Sequence, residues 1–457
     1  MIIRACDVTD VVKGNPLSLN VLVESLKEIM RTAPDKRTGK NCVYTMEDAA
    51  LAAFAVFLTQ SPSFLAYQRT MEQTRGQSNA QTLCGMSQIP TDNCVRTMLD
   101  PVAPSHLFPL FTQIFEALSA SGHIDPLRVA LDPGAPGPGQ LLIALDGTAY
   151  HASHTIHCPH CTRIEHKNGA VSYQHMVITP VIVAPAVSRV IPLAPAFIVP
   201  QDGHDKQDCE TAAAKRWLMT TAAHYRDQHV TVLGDDLTSR QPLCEQILAA
   251  GLDFLLVCKP SSHPTLYEWV ESLTRSGGVV THQITRRTGK QVFTDIYRFA
   301  SGLPLRAGED ALCVNWLELT TTDAAGQTTY HNAWVTRHTI HPGNVAALAA
   351  AARARWGIEN GANNTLKTKG YHFEHNFGHG KRHLSSLLAT LNLLAFLWYT
   401  VQEMTSHKYR LLRASLPTRQ TFFDDIQALT RYLCFESFEA LLDFMLEGLE
   451  IDAPDSS

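Results

Sequence analysis

The sequence predicts a mixed α/β protein with helical regions at both ends and a β-rich insertion between them. Three observations predict it. Apolar residues recur at helical spacing before about residue 118 and after about residue 342; two short apolar runs end in carboxylates, Asp146 and Asp235; and polar, alternating segments fill the interval from Pro260 to Pro342. At 457 residues the chain exceeds what one hydrophobic core organises, so several domains are expected.

Taken in order, Leu17 to Leu118 reads as helical, most clearly in Met46-Glu-Asp-Ala-Ala-Leu-Ala-Ala-Phe-Ala-Val-Phe-Leu58, where apolar positions recur at threes and fours. Thr91 or Asp92 offers an N-cap to a helix that Asp100-Pro101 ends, and this helix is a candidate for presentation to DNA. Asp132-Pro-Gly-Ala-Pro-Gly-Pro-Gly139 is a linker, because neither helix nor strand tolerates that density of Pro and Gly. Beyond it, Leu141 to Asp146, Ala170 to Ala184 and Val190 to Val199 read as a three-strand meander. A helix over 208–224 follows, opened by Gln207-Asp208-Cys209-Glu210 as a cap. Val230 to Asp235 is then strand, 241–250 helix, and Phe254 to Lys259 strand. Trp316-Leu-Glu-Leu-Thr-Thr and His331-Asn-Ala-Trp-Val-Thr place strands in the insertion. Asn344 caps a helix that continues to Lys369, with Gly370 at its end. The resulting division is a helical domain over 1–135, a core in two parts over 140–260 and 342–400, an insertion over 261–341, and a helical region over 401–457.

Composition restricts the class. With 45% apolar and 18% charged residues, the chain has the make-up of an ordinary globular protein. Eleven scattered cysteines read as reduced thiols of a cytoplasmic protein, and the first residues, with Arg4 and Asp7, lack the apolar stretch of a signal peptide. Leu384 to Gln402 is charge-free, but Ser385, Ser386, Thr390 and Asn392 interrupt it, so a buried helix and no membrane association are expected. The net charge of −5 gives no general attraction to nucleic acid. Between residues 353 and 383, however, Arg353, Arg355, Lys367, Lys369, Lys381 and Arg382 face only Glu359 and Glu374, a locally basic stretch among four histidines.

The carboxylates carry the chemistry. Asp146 and Asp235 each end a strand, where open α/β sheets build their sites. Glu359 lies in a helix with Arg355, Asn363 and Lys367 at four-residue intervals, hence on one drifting face. Cleaving and rejoining a phosphodiester uses two divalent cations, and hard oxygen ligands from distant parts of a chain suit them. On this reading Asp146 bridges two metals, Asp235 holds one and Glu359 the other, while Arg355 and Lys367 grip flanking phosphates. The bland readings are a turn at Asp146-Gly147, a helix cap at Asp235-Asp236 and a surface ion pair between Arg355 and Glu359.

At these residues the chain resembles the DDE transposases of bacterial insertion sequences. The resemblance lies in Leu-Ile-Ala-Leu-Asp146-Gly-Thr, in Val-Leu-Gly-Asp235-Asp-Leu-Thr-Ser and in Arg355-Trp-Gly-Ile-Glu359-Asn, and spans Leu141 to about Thr400. The last segment resembles the group's Tyr-x2-Arg-x3-Glu-x6-Lys signature. Ala352 stands at the tyrosine and Leu366 at the lysine, with Lys367 one place later. The resemblance implies a ribonuclease-H-like mixed sheet flanked by helices, with a β-rich insertion before the last acidic helix. It also implies Mg²⁺ or Mn²⁺ dependence, binding of terminal inverted repeats and target DNA, and a homodimeric synaptic complex at the bacterial nucleoid. The alternatives are a ribonuclease-H-like nuclease without strand transfer and a non-catalytic DNA-binding derivative of a transposase. Asp236 competes with Asp235, and Glu374 with Glu359.

A second set of ligands is of a different kind. Cys158-Pro-His-Cys161 lies among His151, His154, His157 and His160, with His166 and His175 nearby, so a structural Zn²⁺ on Cys158, Cys161, His157 and His166 is a candidate. Lys259, at a strand end, and Lys369, Lys381 and Arg382 are candidate contacts to the DNA backbone.

Overall fold

In a computed structural model, residues 15–38, 42–72, 78–199 and 210–452 are described. Arg4, Asp7, the proposed cap Gln207-Asp208-Cys209 and the end of the acidic tail at Asp455 lie outside them. The protein is mixed α/β and divides into two units, one formed by residues 1–123 with 369–457 and the other by 124–368.

The first unit is helical. The helix Met46–Leu58 is apolar on nearly every face and is buried at all its residues but Glu47, which suits a central element. Its N-cap Thr45 accepts from Asp48 N. The buried Asp48 in turn accepts from Ser87 N at 2.7 Å and Gln88 N at 3.3 Å, so its carboxyl ties down the loop that leads into the helix Asp92–Leu99. Leu384–Thr405, the one described helix long and apolar enough to cross a membrane, is 89% buried within the protein over its apolar window. It packs beside Met46–Leu58, and Tyr399 donates its hydroxyl hydrogen to Leu58 O. The helix Asp92–Leu99 ends at Asp100 as expected, but Thr91 makes no side-chain cap there. Asp100 serves another end instead: its Oδ1 accepts from the backbone N–H of Lys381, Arg382 and Leu384, at the start of the long helix.

The second unit holds two sheets built from β1 (Leu141–Ala144), β2 (Gly147–Ser153), β3 (Thr162–Glu165), β4 (Val171–Ile178), β5 (Val181–Ala184), β6 (Val187–Pro192), β7 (Ala196–Ile198), β8 (Val230–Gly234), β9 (Asp253–Val257), β10 (Val280–Thr288), β11 (Gln291–Pro304), β12 (Cys313–Asp323) and β13 (Thr328–Thr336). The larger sheet has nine strands in the order β10-β11-β12-β13-β9-β8-β1-β5-β6. In it β1, β8 and β9 run parallel, while β5, β6 and β13 pair antiparallel. β1, β8 and β9 are apolar and buried nearly throughout, as central parallel strands must be. The region after β1 differs from the expected three-strand meander. Two of its strands join the large sheet, while β2, β4, β3 and β7 form a small second sheet, because the chain turns at Gly147 and again at Pro180. The four long strands of 280–336 continue the large sheet beyond β9 through the β13–β9 pairing.

Candidate active site and metal centre

The parallel pairing of β1 with β8 fixes the first two carboxylates. Ala144 pairs with Leu233, and Leu145 N donates to Leu233 O at 2.9 Å. Two residues further on, the same register sets Asp146 against Asp235, on neighbouring strands about 4.8 Å apart. Asp235 is held by Leu237 N at 3.0 Å and Thr238 N at 3.2 Å, both donating to its Oδ1. Asp236, the competitor, is occupied elsewhere. It accepts from Lys259 N at 2.8 Å and from Ser262 Oγ, with His263 Nδ1 3.6 Å away, and so it anchors the loop after β9.

Glu359 arrives from the opposite side of β1. The helix Val345–Arg353 does not run unbroken to Lys369; it loosens at 354–355, passes through a π turn over Ile358–Asn363 and closes as Asn364–Thr368. Asn344 stands at its N-terminus without capping it, because its side chain accepts from His341 N and donates to Thr339 O. Glycine allows the close approach to the sheet. A Cβ at Gly361 would press on Val190 and on Ser188 O of β6, and one at Gly357 would meet Val183 Cγ1 of β5 at 3.0 Å. Asn363 Oδ1 accepts from Thr179 Oγ1 at 3.0 Å, and Thr179 N donates to Asp146 O at 3.2 Å, which links the π turn to the end of β1.

A π turn closes i to i+5 and so carries one residue more than an α turn. Beyond the π turn Lys367 is half-exposed, while Leu366 is buried. Ala352, at the tyrosine position, is buried.

Electrostatics show that the carboxylates form one group. Burial pushes the Asp146 carboxyl up to about 6; Arg355 opposes this, and Glu359 and Asp235 add to it. Arg355 Nη2 donates to Glu359 Oε1 at 3.1 Å, and the arginine is 12% exposed against 37% for the glutamate. One site residue goes beyond the three. Glu210, the first residue of the helix Glu210–Thr220, has its pKa raised by burial and by the charges of Asp146 and Asp235. A Cβ at Gly147 would fall on the Glu210 carboxyl group. Sequence reasoning treated Glu210 as part of a helix cap, and its only signal was the small residue beside Asp146. The fourth carboxylate and the absence of a side chain at 147 are thus one arrangement.

Of the candidate DNA contacts, Lys259 is exposed at the same sheet end as Asp235, and Arg355 and Lys367 flank Glu359 in the helical segment. Lys369, Lys381 and Arg382 are exposed residues of the helical unit. Glu374 also belongs to that unit, outside the strand-end group. Trp356, 47% exposed, borders an open groove lined by Arg353, Asn360 and Ser188.

The sulfur–imidazole set lies in the small sheet. Cys158, Cys161 and His175 converge: Sγ to Sγ is 3.8 Å, and His175 Nε2 is 3.4 Å from Cys158 Sγ and 3.3 Å from Cys161 Sγ. These residues form a group able to hold a metal ion. The two histidines expected as ligands are engaged otherwise: His166 Nε2 lies 2.8 Å from Ser172 Oγ, and His157 packs edge-on against Tyr173 at 4.2 Å between ring centres.

Comparison of the chain with protein-family models and with curated proteins finds no match.

Proposed function

We propose that this protein is a DDE-type DNA transposase that cleaves at the ends of a mobile element and joins the freed 3′ hydroxyl to target DNA. The observation that carries the proposal is the convergence of Asp146, Asp235 and Glu359. They come from two parallel strand ends and a π turn, and Asp235 and Glu359 both act on the Asp146 carboxyl. The order β6-β5-β1-β8-β9, with the first three strands antiparallel and the last three parallel, supports a ribonuclease-H-like core.

The residues fit divalent cations. Mutually repelling carboxylates, partly withdrawn from water, are a donor set that a cation relieves, and hard oxygens suit Mg²⁺ or Mn²⁺ whereas the sulfur–nitrogen set suits zinc. Asp146, Asp235 and Glu359 would hold the ions, with Asp146 between the other two. Such ions lower the pKa of the attacking water or hydroxyl and stabilise the leaving oxygen. Arg355, fixed by Glu359, places a guanidinium beside the carboxylates, suited to a phosphate flanking the scissile bond. Lys367 and Lys259 add positive charge at the same end of the sheet. Partners on this reading are the element's terminal repeats and target DNA, bound by a homodimer at the bacterial nucleoid.

The test is cleavage of DNA bearing the inverted repeats that flank the gene, with Mg²⁺ or Mn²⁺, by the wild type and by Asp146→Asn, Asp235→Asn, Glu359→Gln and Asp236→Asn. Loss in the first three and retention in the fourth is expected. Activity that survives Glu359→Gln would remove that residue from the site. Cleavage without strand transfer into a supercoiled plasmid would make the protein a nuclease, and DNA binding without cleavage a binding protein.

A further inference from the structure

The small sheet carries a second centre, independent of the carboxylates and of the transposase reading. We infer that Cys158, Cys161 and His175 hold one Zn²⁺ ion, which fixes the 154–161 loop onto the sheet.

The argument is geometric. In a tetrahedral site with Zn–S of about 2.3 Å and Zn–N of about 2.0–2.1 Å, two sulfurs stand about 3.8 Å apart and a sulfur and a nitrogen about 3.6 Å apart. The observed separations are 3.8 Å for the sulfurs and 3.4 and 3.3 Å for sulfur to nitrogen. The sulfur pair stands at the tetrahedral spacing, far from bonding distance. The backbone builds these separations. Cys158 and Cys161 close a turn in which Cys161 N donates to Cys158 O at 3.1 Å, which brings both thiols to one side. Strand β3 starts at the next residue, and its pairing of Thr162 with Gln174 sets Cys161 opposite His175 when continued by one place. His175 lies in the central strand of its sheet, 4% exposed, its ring stacked on Tyr150 at 5.5 Å. The imidazole is therefore oriented before any ion arrives, as metal-binding histidines are.

The loop from residue 154 to 160 is tied to the sheet by polar and ring contacts: His154 Nδ1 lies 2.9 Å from Val171 O, and His157 packs on Tyr173. Thr155 and Ile156 hang on Ser153 Oγ, and Ile156 is 51% exposed. An ion that joins the end of this loop to the middle of β4 would add a cross-link to these contacts, the usual work of a structural zinc in a small sheet.

The experiment is metal analysis of the full-length protein purified without chelator or metal-affinity steps, with release followed by a chromophoric zinc chelator. The expected result is about one zinc per chain, freed stoichiometrically when an organomercurial blocks the thiols of the folded wild type. Cys161→Ser and His175→Gln should each lose it, whereas His157→Gln and His166→Gln should keep it. Limited proteolysis within 154–160 should accelerate on release. Four results would overturn the inference: wild-type protein with less than about 0.1 zinc per chain, a different metal in its place, Cys158 and Cys161 found as a disulfide, or zinc that persists in His175→Gln but is lost from His166→Gln. Because mercurial release is measured on the wild type, a variant that fails to fold does not obscure the outcome.

Discussion

One unit of this protein carries two ligand sets of opposite character. At the ends of β1 and β8, Asp146, Asp235, Glu359 and Glu210 crowd together with Arg355 as a close counter-charge, so the folded chain holds like charges near one another. In the small sheet, Cys158, Cys161 and His175 are sulfur and nitrogen donors packed within hydrogen-bonding reach. The difference is one of donor chemistry. Carboxylates assembled against their own repulsion are suited to cations that carry out chemistry, whereas a buried sulfur–imidazole set is suited to an ion that holds structure.

The two sets should therefore respond with opposite sign to loss of a ligand. Asp146→Asn or Glu359→Gln should lower cleavage roughly a thousandfold or more while leaving the metal-free protein equally or more stable, since a repulsion is removed. Cys161→Ser should leave the carboxylate geometry in place but lower the melting temperature, with a stability loss of more than about 2 kcal/mol. Cleavage assays paired with calorimetry check both, and a carboxylate variant that melts many degrees lower would break the contrast. Gly147→Ala lies between the two regions, where β2 leaves the carboxylate end of the sheet. Its methyl group would displace Glu210, and a stability cost of about 1–3 kcal/mol is expected together with a clear fall in cleavage. Asp236→Ala should cost about 1–3 kcal/mol, because Lys259 N and Ser262 lose their acceptor, while metal-dependent cleavage persists.

The smallest effect is in pH. Burial, with Glu359 and Asp235 beside it, raises Asp146 to about 6 against the pull of Arg355, while an aspartate in the unfolded chain titrates near about 4. Between those values the folded state keeps a proton that the unfolded state has released. Stability of the metal-free protein should thus be highest below about pH 4, fall as pH rises towards about 6, and not recover above it as far as this group is concerned. Glu210, also raised, works in the same direction. Asp146→Asn should flatten that slope in urea titrations, and Mn²⁺ affinity should increase as pH rises through about 6, because the ion displaces the proton.

Much of this was legible along the chain. The helical first region, the apolar strands that end at Asp146 and Asp235, the linker before β1 and the long strands of the insertion all follow from local periodicity and from Pro and Gly, which act within a few residues. The sequence put Asp235 ahead of its neighbour Asp236 but did not show where the neighbour goes: Lys259 N and Ser262 donate to Asp236. Nor was the place of His175 legible; it lies fourteen residues from Cys161 and reaches it through the register of β3 with β4. By itself the sequence determined which residue types are present and which ends of which strands they occupy, because strand and helix formation respond to nearby residues. Tertiary structure alone decided that Glu210 joins the carboxylates, that a π turn interrupts the helix at Glu359, and that the small sheet stands apart from the large one. Those outcomes depend on pairing and close approach between residues distant in the chain, and no local pattern encodes them.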